Sequence, residues 1–339
     1  MLYQNLEKLC TLAGVSGCED AVREELLRMV EGQGMCRVDP LGNLLVFKKG
    51  KRAPAKKLLL SAHMDEVGLI ITHIGEDGLL KFATVGGIDK RVIPGRAVRI
   101  GAQQVFGVVG VKPVHLKPAE EREKAHELDA LYIDIGATTR EQAQEQVTLG
   151  DRAVFVSHYC TFGDGFLRGR ALDDRAGCAL LVELLQSELE YDTHFAFTVQ
   201  EETGTTGAKT AANQIAAEIG IVVETTTACD IPDVPPEKVV CSLGKGPVIS
   251  FMDRGTIYDA KLYAQALEIA KLQQISCQSK AGVYGGNEAR SIQTAGSGTR
   301  MLAVSIPCRY LHTPSCVAKK TDIEESLRLL KALIGAFGE

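Results

Sequence analysis

The sequence predicts an α/β fold: a sandwich on a largely parallel central sheet, interrupted by an inserted β-rich domain. Three observations carry that expectation. After residue 170, helical and strand patterns alternate, as in a parallel sheet covered by helices. Between about residues 67 and 160 that alternation gives way to short β-type runs separated by Gly, Pro and Asp. The strand-like segment LLLSAH, at 58–63, lies just before the change, so the α/β unit is left and later re-entered.

Two helical patterns open the chain. In the second, Val22, Leu26, Met29 and Val30 recur at helical spacing, and Ser16 with Glu19 fits a capping box. VGLIIT, LLKFATV, AVRI, QVFGVVGV and ALYIDI supply strands to the inserted unit, with one charged, helix-compatible stretch near 117–129. ALDDRAGCALLVELL then reads as an almost wholly apolar helix, THFAFTVQ as a strand and TGAKTAANQIAAE as a helix. IGIVVE is a strand, YDAKLYAQALEIAKL a helix, MLAVSIP a strand and TDIEESLRLLKALIGAF the last helix. The expected domains are 1–66 with 161–339, and 67–160.

A length of 339 residues makes two domains the default. Apolar residues at 45% and charged residues at 24% exclude a disordered chain. No apolar run approaches the roughly 18 residues that span a bilayer, so no membrane partner is expected. The start MLYQNLEKLC lacks an export pattern, and the ten cysteines form no C-x-x-C pair. Both points suggest a reducing, cytoplasmic setting in which the cysteines act as small core residues. A net charge of −5 without Lys/Arg blocks argues against nucleic acid.

Functional side chains of open α/β sheets gather beyond the carboxyl ends of the strands. Three expected strands end in potential metal ligands: the first at His63 and Asp65, the next at Glu201 and Glu202, another at Glu224. In His63-x-Asp65, the imidazole binds a metal through one nitrogen, and Asp65 is either a further ligand or the group orienting the ring. Asp173 and Asp174 begin the apolar helix, where either can cap free N–H groups or, with its two oxygens, bridge two cations. Adjacent Glu201 and Glu202 repel in a dry site unless dications reverse that logic, leaving one to ligate and its neighbour to take a proton from water. His312, in CRYLHTPS, follows the last strand by a short turn. GAKT at 207–210 lacks phosphate-loop spacing, and no G-x-S-x-G is present.

The ordered series GVSGCED, DPLGN, SAHMDEVG, GGIDKRVIPG, LYIDIGA, GRALDDRAG, QEETGTTGA, ETTTACDIPD, GGNEA and CRYLHTPS resembles the glutamyl and tetrahedral aminopeptidases, a family of two-metal metallopeptidases. The resemblance implies a catalytic α/β domain, a β-rich dimerisation domain inserted after SAHMDE, and dimers assembled into a hollow tetrahedral dodecamer. It implies that His63, Asp173 and Glu224 hold one divalent metal, and that Asp173, Glu202 and His312 hold the other. By the same matching, Glu201 is the general base, Asp65 orients His63, and the Asp173–Asp174 peptide is cis. Three departures stand out: Glu224 where the family often has Asp, EETG where it has an EEVG-type string, and GGNEA where it has GGTDA.

The expected reaction is hydrolysis of N-terminal residues from short peptides, with zinc, cobalt or manganese as the metals. A glycoside hydrolase, prompted by endoglucanase labels within the family, needs carboxylates about 5–9.5 Å apart across the bond. Adjacent glutamates suit that poorly, and a chain with no Trp and 5% aromatics has little material for stacking sugars. A metal-stabilised assembly protein without catalysis is the other alternative.

Overall fold

The structure, a computed structural model, describes residues 1–116 and 118–339. Its largest element is an eight-stranded mixed sheet. The centre consists of parallel strands in the spatial order Thr193–Thr198, Leu58–His63, Ile219–Thr227 and Arg300–Cys308. Antiparallel Leu44–Lys48 and Met35–Val38 extend one edge, and the short strands Val248–Ile249 and Gln278–Ser279 the other. Strands covered on both faces read as continuous apolar runs. Accordingly, every residue of Leu58–His63 is buried.

Alternate residues of these strands enter opposite layers. On one face, Leu58, Leu60, Ile221 and Val304 pack against the helices Leu172–Leu185 and Lys320–Phe337. On the other, Leu59, Ala196, Val222 and Ala303 meet the helices Thr206–Ile215 and Ala289–Ile292. Helix Leu172–Leu185 also packs against Leu2–Thr11, which accounts for its having almost no polar face.

Between Leu58–His63 and the re-entry into the sheet, the chain closes a barrel. Its strands run in the order Gly68–Ile74, Leu80–Val85, Tyr132–Asp134, Val105–Gly110, Ala97–Ile100 and Arg152–Phe155. Leu69, Ile71, Leu80, Val98, Ile133 and Phe155 give it a core of its own. Closure leaves no sheet edge unpaired. The closing strand, RAVF, is too short to stand out in the sequence.

A small antiparallel sheet of Cys160–Phe162, Phe166–Gly169 and Cys316–Lys319 follows the barrel. Buried Arg170 ties the parts together: Nε donates to Glu66 Oε2 at 2.6 Å, and the two terminal nitrogens donate to Phe155 O at 3.3 Å and Leu12 O at 2.6 Å. Breaking one side of such a buried pair costs about 3–5 kcal/mol.

Three expectations need correction. The stretch near 117–129 forms no α-helix among its described residues, only the 3₁₀ turns Ala119–Glu121 and Leu128–Ala130; Lys117 lies outside the described residues. Its described side chains are mostly exposed, so no apolar face anchors a helix. The capping box is not formed either: helix Asp20–Met29 begins without a side-chain cap from the described residues, because Ser16 bonds to Asp65 and Glu19 to the N–H groups of Gly17 and Gln200. Finally, Cys10, Cys178, Cys241, Cys308 and Cys316 are buried as expected, but Cys18, Cys36 and Cys160 are exposed. Among the described residues, no helix is long and apolar enough to cross a membrane.

Candidate metal centre

The parallel strands deliver the proposed ligands to one edge of the sheet. His63 ends its strand, Glu201 and Glu202 follow Thr193–Thr198, and His312 lies in the loop after Arg300–Cys308. Glu224 does not end its strand, which runs on through three threonines to Thr227. The loops are tightly bent: Gln200, Tyr310 and His312 hold positive φ angles of 57°, 59° and 58°. Non-glycine residues in that region cluster at functional sites.

Asp173 stands at the centre. Its Oδ1 is 3.3 Å from His63 Nε2 and its Oδ2 is 3.4 Å from His312 Nε2, so its two oxygens serve different histidines. His312 Nε2 also lies 3.3 Å from Glu202 Oε1. Donor atoms of His63, Asp173 and Glu202 fall within 4.8 Å of one another. The Asp173–Asp174 peptide is cis, and the two carboxylates part company there. Asp174 turns into the helix, accepting the Gly177 N–H at 3.0 Å, and takes the capping role that the sequence left open between them.

Each histidine is oriented from behind. His63 Nδ1 is 3.1 Å from the Asp65 carbonyl and 3.3 Å from Asp65 Oδ1. His312 Nδ1 is 2.7 Å from the carbonyl of Gly87, a residue of the inserted unit. With Nδ1 so occupied, Nε2 is the nitrogen each ring presents to the centre. Asp65 is fully engaged: Oδ1 accepts the Glu201 N–H at 2.9 Å, and Oδ2 accepts the Glu202 N–H at 3.1 Å and the Ser16 hydroxyl at 2.6 Å. Burial works against its charge, yet His63, Ser16 and the Glu201 N–H hold its carboxyl below the ordinary range. Glu19 braces the same turn, accepting the N–H of Gln200 at 3.1 Å and of Gly17 at 2.8 Å.

Glu201 and Glu224 face the same cavity as His63, Asp173, Glu202 and His312. Burial, followed by the charges of Glu202, Asp173 and Asp65, pushes the Glu201 carboxyl well above its usual range despite nearby His63. Glu224 stands apart from the tight cluster. Its Oε1 accepts from Asn287 Nδ2 at 2.7 Å and from the Ser305 hydroxyl at 3.3 Å. Burial pushes it up to about 8, with Lys280 and Asn287 opposing.

The residues fit divalent cations. Imidazole nitrogens and carboxylates are suitable donors for zinc, cobalt or manganese. Buried Glu202 Oε1 makes no aligned hydrogen bond with any described residue, although His312 is close. Asp173, Glu201, Glu202 and Glu224 also outnumber the two histidines, an imbalance that cations offset. The sequence reading missed Ser16, Glu19, Gly87, Asn287 and Lys280 in these roles. No local spacing marks them: Gly87 and His312, for example, are 225 positions apart.

Histidines and carboxylates converging at the carboxyl edge of a parallel sheet, with a raised glutamate beside them, define a metal-dependent hydrolase. Residues 42–329 match the M42 glutamyl aminopeptidase family, and the chain belongs to that family. It is 38% identical to a putative aminopeptidase of Acetivibrio thermocellus, with 97% of each chain covered. It is 32% identical to the lysyl aminopeptidase of Pyrococcus furiosus, covering 98% of this chain and 96% of that one. The structure of the Pyrococcus horikoshii TET1 peptidase, which assembles into a tetrahedron or a large octahedral shell, superposes with a TM-score of 0.87 at 35% identity, covering 98% of this chain and 99% of that one. The chain is a metal-dependent aminopeptidase with an inserted β-rich barrel.

Proposed function

We propose that the centre takes two divalent metals, zinc or cobalt with manganese also suited, and removes N-terminal residues from short peptides with Glu201 as general base. His63, Asp173 and Glu224 hold one metal; Asp173, Glu202 and His312 hold the other. The observation carrying this reading is Asp173, whose oxygens lie 3.3 and 3.4 Å from two different histidines, as a bridging carboxylate requires. Metals held by these residues would supply Lewis acidity toward a scissile carbonyl and would lower the pKa of water at the site toward neutrality. Glu201, kept receptive to protons by its burial, takes the water's proton and returns it to the leaving amine. Such a role is worth about 10²–10⁴ in rate. Asp65 fixes the His63 ring and, through its bonds to both glutamate N–H groups, the turn carrying base and ligand.

Lys280 supports a preference for acidic N-terminal residues. It is the one lysine or arginine among the described residues lining the cavity, is 5% exposed and makes no ion pair with any described residue. A substrate carboxylate would give this charge the direct ion pair that it lacks among the described residues, where it is offset only by its longer-range attraction to Glu224. The family description names glutamyl activity and the Pyrococcus furiosus relative lysyl activity, so membership alone does not choose. Residues 67–160 are proposed as the dimerisation domain of a tetrahedral dodecamer, supported by the shell that the TET1 relative forms, in a cytoplasmic enzyme.

The test is a panel of aminoacyl p-nitroanilides on chelated protein reloaded with Zn²⁺, Co²⁺ or Mn²⁺. Activity should vanish on chelation, return with metal and favour Glu over Leu. Lys280→Met should lower the Glu-to-Leu ratio of kcat/KM by about 10²-fold, the scale for removing one partner of a buried charge pair. Reducing-sugar release that survives chelation, with no aminoacyl cleavage, would overturn the reading.

A further inference from the structure

Glu224 is the one proposed ligand held by neutral groups, and those groups continue into a buried chain. Asn287 Nδ2 donates both to Glu224 Oε1 at 2.7 Å and to the Tyr258 hydroxyl at 2.8 Å. Tyr258 donates in turn to Asp253 Oδ2 at 2.6 Å. Asp253 Oδ1 accepts the N–H groups of Gly255 at 2.7 Å and Thr256 at 2.8 Å. Asp253, Tyr258 and Asn287 are 1%, 4% and 2% exposed, so water does not substitute for these bonds.

The chain runs in only one sense. Tyr258 spends its one hydroxyl proton on Asp253 Oδ2, so toward Asn287 its oxygen can only accept. That assignment turns the amide nitrogen of Asn287 toward Glu224. Its oxygen is committed elsewhere, accepting the Ala289 N–H at 2.8 Å. An amide fixed at both ends offers Glu224 a donor in one direction, with the Ser305 hydroxyl beside it at 3.3 Å. Oε1 is thereby engaged, and Oε2 is the oxygen left to the cavity.

A glutamate has one more rotatable bond than an aspartate, so its carboxylate needs more to hold it. Two of the departures noted in the sequence, Glu224 and GGNEA, meet in this single 2.7 Å bond. We infer that Asn287, locked by Tyr258 and Asp253, is the positioning residue that aims Glu224 at its metal. The inference rests on the ligand assignment proposed above.

Metal titration against a chromogenic chelator tests it without relying on turnover. In Asn287→Ala, one of the two metal sites should weaken about 10–100-fold, as when a ligand loses its supporting partner, while the other keeps its affinity within about twofold. Tyr258→Phe keeps the ring packing and should shift the same site in the same direction by less. Thermal unfolding of the metal-free proteins identifies the folded variants. Wild-type protein that binds no second metal would overturn both this inference and the two-metal reading. Wild-type protein with two metals whose affinities are unmoved in folded Asn287→Ala and Tyr258→Phe, or lowered equally at both sites, would overturn the inference alone.

Discussion

Asp173 and Glu224 reach the same cavity, but they are held in opposite ways. Asp173 lies between His63 and His312, with Glu202 touching the second ring, so the proposed ligands on that side set one another's positions through charge. Asp65 and Ser16 brace the arrangement from behind. Among the described residues Glu224 meets no charged partner within hydrogen-bonding distance, and it is placed by Asn287 and Ser305. The first side is a mutual network that loses its logic when one member goes. The second is a single arm on a neutral scaffold, which can be loosened without disturbing the rest.

The largest expected effect follows from the position of Asp173. Asp173→Ala should deplete both metals, measured by elemental analysis on folded protein, and abolish turnover. Full metal occupancy in that variant would end the bridging assignment. Glu224→Gln should sharpen the contrast by costing one metal and sparing the other; loss of both would show that the two sides are not separable. Asp65→Asn removes a charge behind His63 without emptying the site, and kcat/KM should fall about 10–100-fold, the range for groups that orient a metal-binding histidine. Ser16→Ala removes one hydrogen bond to Asp65. Its effect should be the smallest, about 0.5–1.5 kcal/mol in thermal or denaturant stability. A larger loss of activity than in Asp65→Asn would place Ser16 in the site itself.

The sequence displays what is local, and the residues it misread are those whose partners are remote. His63, Glu201 and Glu202 stood out because polar groups close apolar strands, a contrast visible along the chain. Spacing alone did not tell Asp173 and Asp174 apart, since capping and bridging ask for the same side chain at the start of a helix; the family resemblance singled out Asp173. Only the fold turns one inward to Gly177 and the other out to the histidines. Ser16 and Glu19 have the spacing of a capping box, but a partner 49 positions away claims Ser16 and one 181 positions away claims Glu19. Three threonines after Glu224 resemble a loop, yet they extend the strand beside Ile306, Pro307 and Cys308. The inserted β-rich unit was legible from its Gly-, Pro- and Asp-punctuated strands, but its closure into a barrel was not; Gly87 as a partner of His312 likewise depends on how that unit meets the sheet.

The central claim concerns Glu201: burial raises it along with Glu202 and Glu224 in the same cavity, but it alone of the three is assigned the proton rather than a metal. Glu201→Gln preserves its shape and removes its basicity, so metal content and kcat measured on one preparation test the claim directly. Two metals per chain with kcat lower by about 10²–10⁴ is the predicted result. Near-wild-type kcat in the same metal-loaded protein would contradict it.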